Sequence, residues 1–424
     1  MSGGRAAINR RGFLKGSAAA AAALGGVNAL GGCAASPGEV GVAPGPAGEA
    51  GIEHIIVVMM ENRSFDHLLG WLPGADGKQA GLAFVDRNGV EHETHRMTTS
   101  VSCGFDDPDH SYKGGRIEFN GGRCDGFLLP THDTLPIGYY EQADLPFMGQ
   151  AAPAWTVLDR YFAATMGPTF PNRFYMHAAA TDRWQNTFDI SSLPTIWSLL
   201  ESRKLVGRYY YVDAPVLALW GLRHANVIRP FDGFLSDCAT GQLPHLSYVD
   251  PRFLIPPLGT SADYHPHSDI RAGEAFLDQV YAAVTSGPKW ENTLMVINFD
   301  EWGGFYDHVA PEVAPDRWDY TAQRGFRVPC LVVSPYARRN HVAHETYDHA
   351  SVLKMIEWAF DLPTLSPRDA AANNLADVLD LSSTPDTSVP SWEFPEIEFQ
   401  DCSQQFIDDL FNRLAALGSQ LGIS

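Results

Sequence analysis

Hydrophobic and polar positions along the chain form two recurring patterns. Continuous apolar runs rich in β-branched and aromatic residues predict buried strands, at residues 55–60, 206–212, 293–299 and 328–335. Segments with apolar residues three and four positions apart predict helices, at residues 195–204, 272–286 and 351–360. Because such strands and helices alternate, we predict an α/β fold, a three-layer α/β/α sandwich with a mostly parallel, doubly wound sheet.

Two of the predicted strands end in acidic or amide side chains. Glu61 and Asn62 follow the first strand, and Asp300 and Glu301 follow the strand at 293–299. Because ligands bind beyond the carboxyl ends of strands in open α/β sheets, we expect these four residues to share one site. Concentrated negative charge is costly unless a divalent cation neutralises it. The alternative is that each pair caps the helix that follows it.

Other residues in Gly- and Pro-rich loops could carry chemistry. Thr169 lies in the stretch GPTFPNR, where a hydroxyl in a rigid turn is a candidate nucleophile, and contact with a cation would lower its pKa. Histidines beside aspartates are candidate proton donors or phosphate binders. They are His110, His265, His267, His308 and His349.

The N-terminal segment predicts export rather than structure. Residues 1–32 contain the twin arginines Arg10 and Arg11 and an Ala-rich run, which resembles a Tat signal peptide. Residues 33–50 are rich in Gly, Pro and Ala and predict a flexible tether, with Cys33 either lipidated or beside a plain signal-peptidase site. We interpret residues 51–424 as one domain, with loops or a cap inserted at about 70–150 and an amphipathic helix at 404–421.

Charge and cysteine content narrow the possible partners. The formal net charge is -20 and no basic stripe is present, so we exclude nucleic acid as a partner. An acidic protein needs a metal to create a phosphate site. Export permits disulfides, and we predict the pair Cys103–Cys124. The absence of a CxxC motif argues against a thiolate zinc cluster.

Several sequence blocks together resemble one known family. The chain is similar to the bacterial phosphoesterase family of phospholipases C and AcpA-like acid phosphatases, which belongs to the alkaline phosphatase superfamily. The blocks are collinear from about residue 52 to 360. They are ENRSFDH (61–67), DPDHSY (107–112), NGGRCDGF (120–127), GPTFPNR (167–173), YxDPRF (248–253), HP (265–266), FDEWGGFYDHV (299–309) and YDHASVLKMIE (347–357).

This resemblance implies an α/β/α sandwich and assigns roles to individual residues. The implied ligands of one divalent cation, which could be Ca, Mg, Mn or Zn, are Glu61, Asn62, Thr169, Asp300 and Glu301. Thr169 is also the implied nucleophile. The implied phosphoryl-binding or acid groups are His110, His265 and, with a less defined role, His349. Trp302 and Phe170 stand where relatives often have histidine, and both departures affect the substrate pocket.

The expected function is metal-dependent hydrolysis of a phosphoric ester. We expect phospholipase C-type cleavage of a phospholipid through a phospho-threonine intermediate. The alternatives are an acid phosphatase acting on phosphomonoesters and an exported phospholigand-binding protein with a degenerate site. The expected partners are the substrate, the Tat translocon and a peripheral membrane contact, in a periplasmic, lipid-anchored or secreted protein. Aromatic residues in loops favour a lipid substrate, although core packing would also explain them; they are Trp71, Phe105, Phe119, Phe127, Tyr139 and Tyr140.

Overall fold

A computed structural model describes residues 45–254 and 258–404 of the chain. The predicted signal peptide, Cys33 and the predicted C-terminal helix beyond residue 404 lie outside these residues. Among the described helices, none is both long enough and apolar enough to cross a membrane.

The strands of the described residues vary from two to seven residues in length. In chain order they are β1 His54–Met60, β2 Ala83–Val85, β3 Glu91–Glu93, β4 His95–Arg96, β5 Gly138–Tyr139, β6 Thr156–Leu158, β7 Tyr161–Phe162, β8 Gly207–Tyr211, β9 Ile228–Pro230, β10 Leu246–Asp250, β11 Thr293–Phe299, β12 Cys330–Val333, β13 His341–Ala343 and β14 Tyr347–Asp348.

The α-helices connect and cover these strands. They are α1 Pro46–Glu49, α2 Phe65–Leu69, α3 Tyr112–Phe119, α4 Met148–Ala154, α5 Thr169–Ala178, α6 Ile196–Ser202, α7 Phe231–Thr240, α8 Ile270–Thr285, α9 His349–Ala359 and α10 Pro367–Ala371. The predicted helices correspond to α6, α8 and α9, each within two residues of the predicted ends.

One large sheet forms the centre of the molecule. Eight of the described strands build it, in the order β13–β6–β12–β11–β1–β10–β8–β9. All neighbouring pairs are parallel except those of β12, which runs antiparallel to both β11 and β6. The α/β fold class with a mostly parallel sheet is therefore confirmed.

The two central strands explain the continuous apolar runs in the sequence. Every residue of β1 and of β11 is buried, because both faces of the sheet are covered. Their parallel register pairs His54 with Thr293 and Met60 with Phe299. The strands therefore end side by side, and the residues that follow them begin at the same edge.

Three predictions about this architecture were wrong in detail. The run at 328–335 was predicted as a parallel strand, but its strand β12 is antiparallel, a direction that an apolar run alone does not encode. The predicted tether extends too far, because residues 46–49 form α1 and bury Ala47. Cys103 pairs with Cys402, which is 299 residues away, rather than with the buried thiol Cys124. The polypeptide after α10 returns to residue 103, and spacing alone gave no sign of this return.

Candidate active site

The ends of β1 and β11 bring the predicted acidic and amide residues together. The backbone N–H of Asp300 donates to the carbonyl of Met60 (3.0 Å), and that of Asn62 donates to Asp300 Oδ1 (3.3 Å). The N–H of Arg63 donates to the carbonyl of Glu301 (3.1 Å), which continues the pairing one step beyond the strands. The two segments therefore converge at one edge of the sheet, as the sequence predicted.

Helix capping does not explain these residues. The helix after β1 is α2, and its N-cap is Ser64, whose hydroxyl accepts from the N–H of His67. Asp300 and Glu301 are followed by turns rather than by a helix. The capping alternative therefore fails for both pairs.

The turn after β1 has an unusual backbone conformation. Asn62 has φ of 57°, a left-handed value that a non-glycine residue rarely adopts. Gly303 packs against it so closely that a Cβ at position 303 would lie 2.2 Å from the carbonyl oxygen of Asn62. The N–H of Gly303 donates to Glu301 Oε2 (2.7 Å). This close approach requires glycine at position 303, and it fixes Glu301 beside Asn62.

Arg173 from α5 lies at the centre of the acidic groups. Its guanidinium is 2.8 Å from Glu61 Oε1, 3.0 Å from Asp250 Oδ2 and 3.4 Å from Asp300 Oδ2. All four side chains are buried. One positive charge therefore faces three carboxylates, and Glu301 adds a fourth acidic group nearby.

The electrostatic balance of this cluster is unfavourable. Burial raises the pKa of Glu61 and Glu301 well above the ordinary value, and it raises the pKa of Asp300 to about 7 despite the opposing charge of Arg173. The neighbouring carboxylates raise the pKa of Glu61 and Glu301 further. The cluster therefore needs additional positive charge, from protons or from a cation.

Three buried oxygen atoms in this cluster are suitable cation ligands. Asn62 Oδ1, Asp300 Oδ2 and Glu301 Oε1 have no hydrogen-bond partner among the described residues. Buried polar atoms are rarely left without a partner. Carboxylate and amide oxygens suit Ca²⁺, Mg²⁺ or Mn²⁺. The donor set therefore fits a divalent cation.

Thr169 lies one helical turn before Arg173. It is the first residue of α5, and Arg173 follows it by four positions, so the two side chains lie on the same helix face about 6 Å apart at their Cβ atoms. Asn172 stabilises the preceding turn, because its Nδ2 donates to the carbonyl of Gly167 (2.7 Å) and its Oδ1 accepts from the N–H of Thr165 (2.9 Å). Thr169 therefore begins the same helix from which Arg173 contacts Glu61 and Asp300.

Two of the predicted histidines adjoin the cluster. His110 Nδ1 donates to the carbonyl of Pro108 (2.7 Å), which leaves Nε2 to accept from Asn62 Nδ2 (3.3 Å). His110 Nε2 also lies 3.8 Å from Glu301 Oε1. The rings of His110 and His265 are 5.7 Å apart. Both imidazoles therefore lie beside the acidic groups with Nε2 oriented away from the backbone carbonyls.

His265 occupies a buried position next to a carboxylate. Its Nδ1 is 3.0 Å from the carbonyl of Pro266, and its Nε2 is 3.9 Å from Asp107 Oδ2. Burial lowers its pKa, and the charges of Asp107 and Asp263 oppose this effect. The ligating atoms of Asp107, His110 and His265 lie within 4.8 Å of one another. These three side chains form one polar wall of the site.

The structure does not bring His349 or His308 to the same position. His349 Nε2 donates to the carbonyl of Phe299 (3.0 Å) and Nδ1 accepts from the N–H of Ala164 (3.3 Å), so neither ring nitrogen is free. Burial lowers its pKa to about 4. His349 therefore holds the last residue of β11 through its hydrogen bond to Phe299. Because both ring nitrogens are engaged, this geometry does not fit the predicted catalytic role. His308 contacts Asp66 in a separate cluster.

The two departures from the family pattern have structural partners. Trp302 is buried, and its indole N–H donates to Glu118 Oε2 (2.7 Å). The N–H of Phe170 donates to Asn186 Oδ1 (2.8 Å), and its ring contacts that of Phe188. Trp302 therefore anchors α3 behind the site, whereas Phe170 links the candidate nucleophile to an outer loop.

Sequence reasoning missed several members of the site. Arg173 lies in the quoted GPTFPNR block, but its role as the central cation was not predicted. Asp250 ends β10, which neighbours β1, so the strand-end rule applied to the other pairs would also have found it. Asp107 and Asp263 lie in loops, where position in the sequence gives no indication of their contacts.

The fold and the site together define an α/β enzyme with a buried acidic centre at one edge of its sheet. The sequence profile of the Phosphoesterase family matches residues 52–191 and 208–363. The chain belongs to the phosphoesterase family and is a hydrolytic phosphoesterase.

Curated relatives resemble most of the chain. Phospholipase C B of Mycobacterium tuberculosis is 29% identical over 444 aligned residues, which cover 84% of this chain and 83% of that protein. Non-specific phospholipase C6 of Arabidopsis thaliana is 30% identical, over 82% of this chain and 75% of that protein.

Solved structures show a weaker similarity. A protein of the alkaline phosphatase superfamily from Vibrio parahaemolyticus superposes with a TM-score of 0.39 and 8% identity, over 78% of this chain and 70% of that one. The fold assignment therefore depends on the chain's own sheet topology and on the family match.

Proposed function

We propose that this chain is a cation-dependent phosphodiesterase of the phospholipase C type that acts through a phospho-threonine intermediate. The observation that carries this proposal is the set of partnerless buried oxygens of Asn62, Asp300 and Glu301 beside α5, whose first residue is Thr169. The similarity to phospholipases C from two kingdoms supports phospholipid as the substrate.

Different residues have different roles in the proposed reaction, and the first role is to hold the cation. Glu61, Asn62, Asp300 and Glu301, together with Thr169, would hold the cation. When bound, a divalent cation neutralises the carboxylates and lowers the pKa of a hydroxyl that contacts it. Arg173 holds Glu61 and Asp300 in place through its ion pairs.

Thr169 performs the first chemical step. Its Oγ1 loses its proton to solvent water, attacks phosphorus in line and forms a P–O bond while the bond from phosphorus to the glycerol oxygen breaks. His110 or His265, after protonation to the imidazolium, gives the Nε2 proton to the departing alkoxide, which leaves as diacylglycerol. Water then attacks the phospho-threonine and releases the phosphorylated headgroup, which restores Thr169.

Substitution of Thr169 tests this mechanism directly. Thr169→Ala should reduce hydrolysis of p-nitrophenylphosphorylcholine by about 10³-fold or more, because the nucleophile is lost. Thr169→Ser, the matched control, should retain activity because it keeps the hydroxyl. Acid-quenched enzyme should carry phosphorylcholine on residue 169, detected by peptide mass spectrometry. Near-normal activity of Thr169→Ala with unchanged circular dichroism would contradict the assignment.

A second substrate separates the alternatives. Preferential hydrolysis of p-nitrophenyl phosphate would indicate a phosphomonoesterase. Hydrolysis of neither compound, with an intact fold, would indicate a phospholigand-binding protein. Preferential hydrolysis of the phosphorylcholine ester is the result that we expect.

Export through the Tat translocon is part of the same proposal, as is lipidation at Cys33. The twin arginines Arg10 and Arg11 support it, and a Cys103–Cys402 disulfide suits an oxidising compartment. Conservative replacement of both arginines by lysine should shift the protein from the periplasmic to the cytoplasmic fraction. Cys33→Ser should release a lipid-anchored protein into the soluble fraction, and unchanged fractionation of both variants would contradict this part.

A further inference from the structure

A group of exposed apolar side chains lies next to the candidate nucleophile. Trp184, Phe188, Ile190 and Leu222, here called the apolar rim, are 46%, 81%, 65% and 85% exposed. Single exposed apolar residues are common on protein surfaces, but contiguous groups often mark binding sites. Whether this group is a binding surface therefore depends on where it lies in the structure and on which contacts hold it.

The apolar rim is joined directly to the start of α5. The ring of Phe188 contacts the ring of Phe170 at a centroid distance of 5.6 Å, and Phe170 follows Thr169 in the chain. Asn186 from the same loop accepts from the N–H of Phe170 (2.8 Å). The loop that carries the rim is therefore in contact with the residue after the nucleophile.

A buried arginine holds the loop in a fixed conformation. Arg183 Nη1 donates to the carbonyl of Thr187 (2.7 Å) and Nη2 donates to the carbonyl of Asp189 (2.9 Å). The guanidinium also stacks over the ring of Phe174, 4.1 Å from its centroid. Because the carbonyls on both sides of Phe188 point inward to Arg183, the Phe188 side chain is presented outward from a braced loop.

The apolar rim continues across neighbouring elements. Ile190 packs against Gly221, with its Cγ2 3.6 Å from the position of a Cβ at residue 221, and Leu222 is the next residue. On the other side, the ring of Trp184 contacts the ring of Tyr112 at 5.6 Å. Tyr112 lies two residues after His110, so the rim extends from the nucleophile toward the proposed acid.

From this arrangement we infer that the apolar rim is an interfacial surface that inserts into a phospholipid bilayer. This inference rests on the proposed function, because a bilayer is the occupant that would cover the rim and also deliver a phospholipid to Thr169. A segment of this chain or a second copy that covered the rim would instead obstruct access to the nucleophile. Partial insertion of aromatic and aliphatic side chains is a common basis for interfacial binding.

Charge indicates which kind of bilayer fits this surface. The chain has a formal net charge of -20, and Asp182 and Asp189 lie in the loop that carries Phe188, whereas one basic residue, Arg223, follows Leu222. An anionic lipid surface would repel such a protein, since anionic surfaces attract basic segments. The rim therefore binds zwitterionic lipid through apolar contact, and salt should have little effect on this binding.

The test measures binding of the full chain to vesicles of phosphatidylcholine by flotation. Phe188→Ser combined with Ile190→Ser should lower the partition constant about 10- to 100-fold, because two large apolar side chains lose their transfer into lipid. The matched control is Val85→Ser with Val90→Ser, two exposed apolar residues in the β2–β3 hairpin. The control should bind as the wild type does, and phosphatidylglycerol in the vesicles should weaken binding of all three proteins.

Parallel measurements separate this inference from the proposed function. The Phe188/Ile190 double variant should hydrolyse the soluble ester p-nitrophenylphosphorylcholine normally while losing activity on vesicles. Absence of ester hydrolysis in the wild type would refute the proposed function, yet flotation would still report on the rim. Unchanged vesicle binding of the double variant, no binding of the wild type, or a dimer in light scattering that the double variant abolishes would each overturn the inference.

Discussion

Two buried arginines, Arg173 and Arg327, each lie among several carboxylates, but their surroundings differ in one respect. Arg327 donates to Asp66 Oδ1 (3.0 Å), to Asp307 Oδ1 (2.8 Å) and to two backbone carbonyls. The oxygens of Asp66 and Asp307 all have hydrogen-bond partners, including the N–H and Nδ1 of His308. The Arg327 cluster is therefore internally satisfied.

The Arg173 cluster is not satisfied in this way. Arg173 Nε, Asp300 Oδ2 and Glu301 Oε1 lack hydrogen-bond partners among the described residues. Arg173 Nε and Asp300 Oδ2 approach each other only as an ion pair of 3.4 Å, and buried polar atoms without a hydrogen bond are uncommon. Both clusters are acidic, and they differ in that oxygens without a hydrogen-bond partner occur on Asp300 and Glu301 but not on Asp66 or Asp307.

The largest expected effect comes from Glu301→Gln in the unsatisfied cluster. Activity should fall by about 10⁴-fold, because a charged ligand of the proposed cation is lost. Stability in the presence of a chelator should be unchanged or higher, because a buried carboxylate without a full set of partners is removed. Steady-state kinetics and urea unfolding measure the two quantities. A stable variant with wild-type activity would contradict the role of Glu301.

The opposite result is expected for Arg327→Met in the satisfied cluster. Its loss leaves Asp66 and Asp307 buried without their cation, which should cost about 3–5 kcal/mol in the free energy of unfolding. Activity per folded molecule should change little, because every carboxylate oxygen of Asp66 and Asp307 already accepts a hydrogen bond from within the protein. Urea unfolding and active-site-normalised kinetics would check this. A specific loss of activity with normal stability would show that the comparison is wrong.

Removal of divalent cations should lower the stability of the protein through the Arg173 cluster and not through the Arg327 cluster. At a cation concentration 100-fold above the dissociation constant, binding should stabilise the wild type by about 2.7 kcal/mol relative to protein in chelator. This increment should nearly vanish in Glu301→Gln and persist in Asp307→Asn. Thermal unfolding with Ca²⁺, Mg²⁺, Mn²⁺ or Zn²⁺ added singly would measure it and would also rank the ions. An equal loss of the increment in both variants would place the cation elsewhere.

The sequence predicted the features that depend on short-range pattern. The apolar runs of β1 and β11 are continuous because both faces of these strands are buried. Ligands bind beyond the carboxyl ends of parallel strands, and this rule predicted that the residues after the two strands lie together: Glu61, Asn62, Asp300 and Glu301. Their convergence could therefore be predicted without coordinates. Their proposed roles still await the experiments above.

Features that depend on distant contacts could not be predicted in the same way. The partner of Cys103 is 299 residues away, and His349 has its ring nitrogens on backbone groups that no motif encodes. Of the six loop aromatics that favoured a lipid substrate, Phe127 and Tyr140 are buried, and three more pack partly buried against the core: Trp71, Phe119 and Tyr139. The apolar rim lies instead around residue 188, where Arg183 holds the loop that presents Phe188 to solvent.

The smallest expected effect concerns the pH dependence of the satisfied cluster. Burial lowers the pKa of His308, but its hydrogen bond to Asp66 and the charges of Asp66 and Asp307 outweigh burial and raise the pKa above its ordinary value. Arg327 opposes this rise, and Asp76 accepts from the other ring nitrogen (3.2 Å). A histidine with a raised pKa in the folded state stabilises fully below its unfolded pKa of about 6.5, and this contribution is lost as pH rises through the folded value.

His308→Gln should therefore destabilise the protein by about 1 kcal/mol near pH 6 and by less at pH 9. Differences in unfolding free energy between variant and wild type at each pH isolate this effect from the other titrating groups. His344→Gln is the matched control, because His344 contacts Asp159 (2.9 Å) from a side chain that is 61% exposed. An exposed pair contributes little, so the control should give a small difference in the free energy of unfolding. If the difference in unfolding free energy between His308→Gln and the wild type grows toward pH 9, the imidazole is neutral in the folded protein. The Arg327 cluster would then have less positive charge than its contacts indicate.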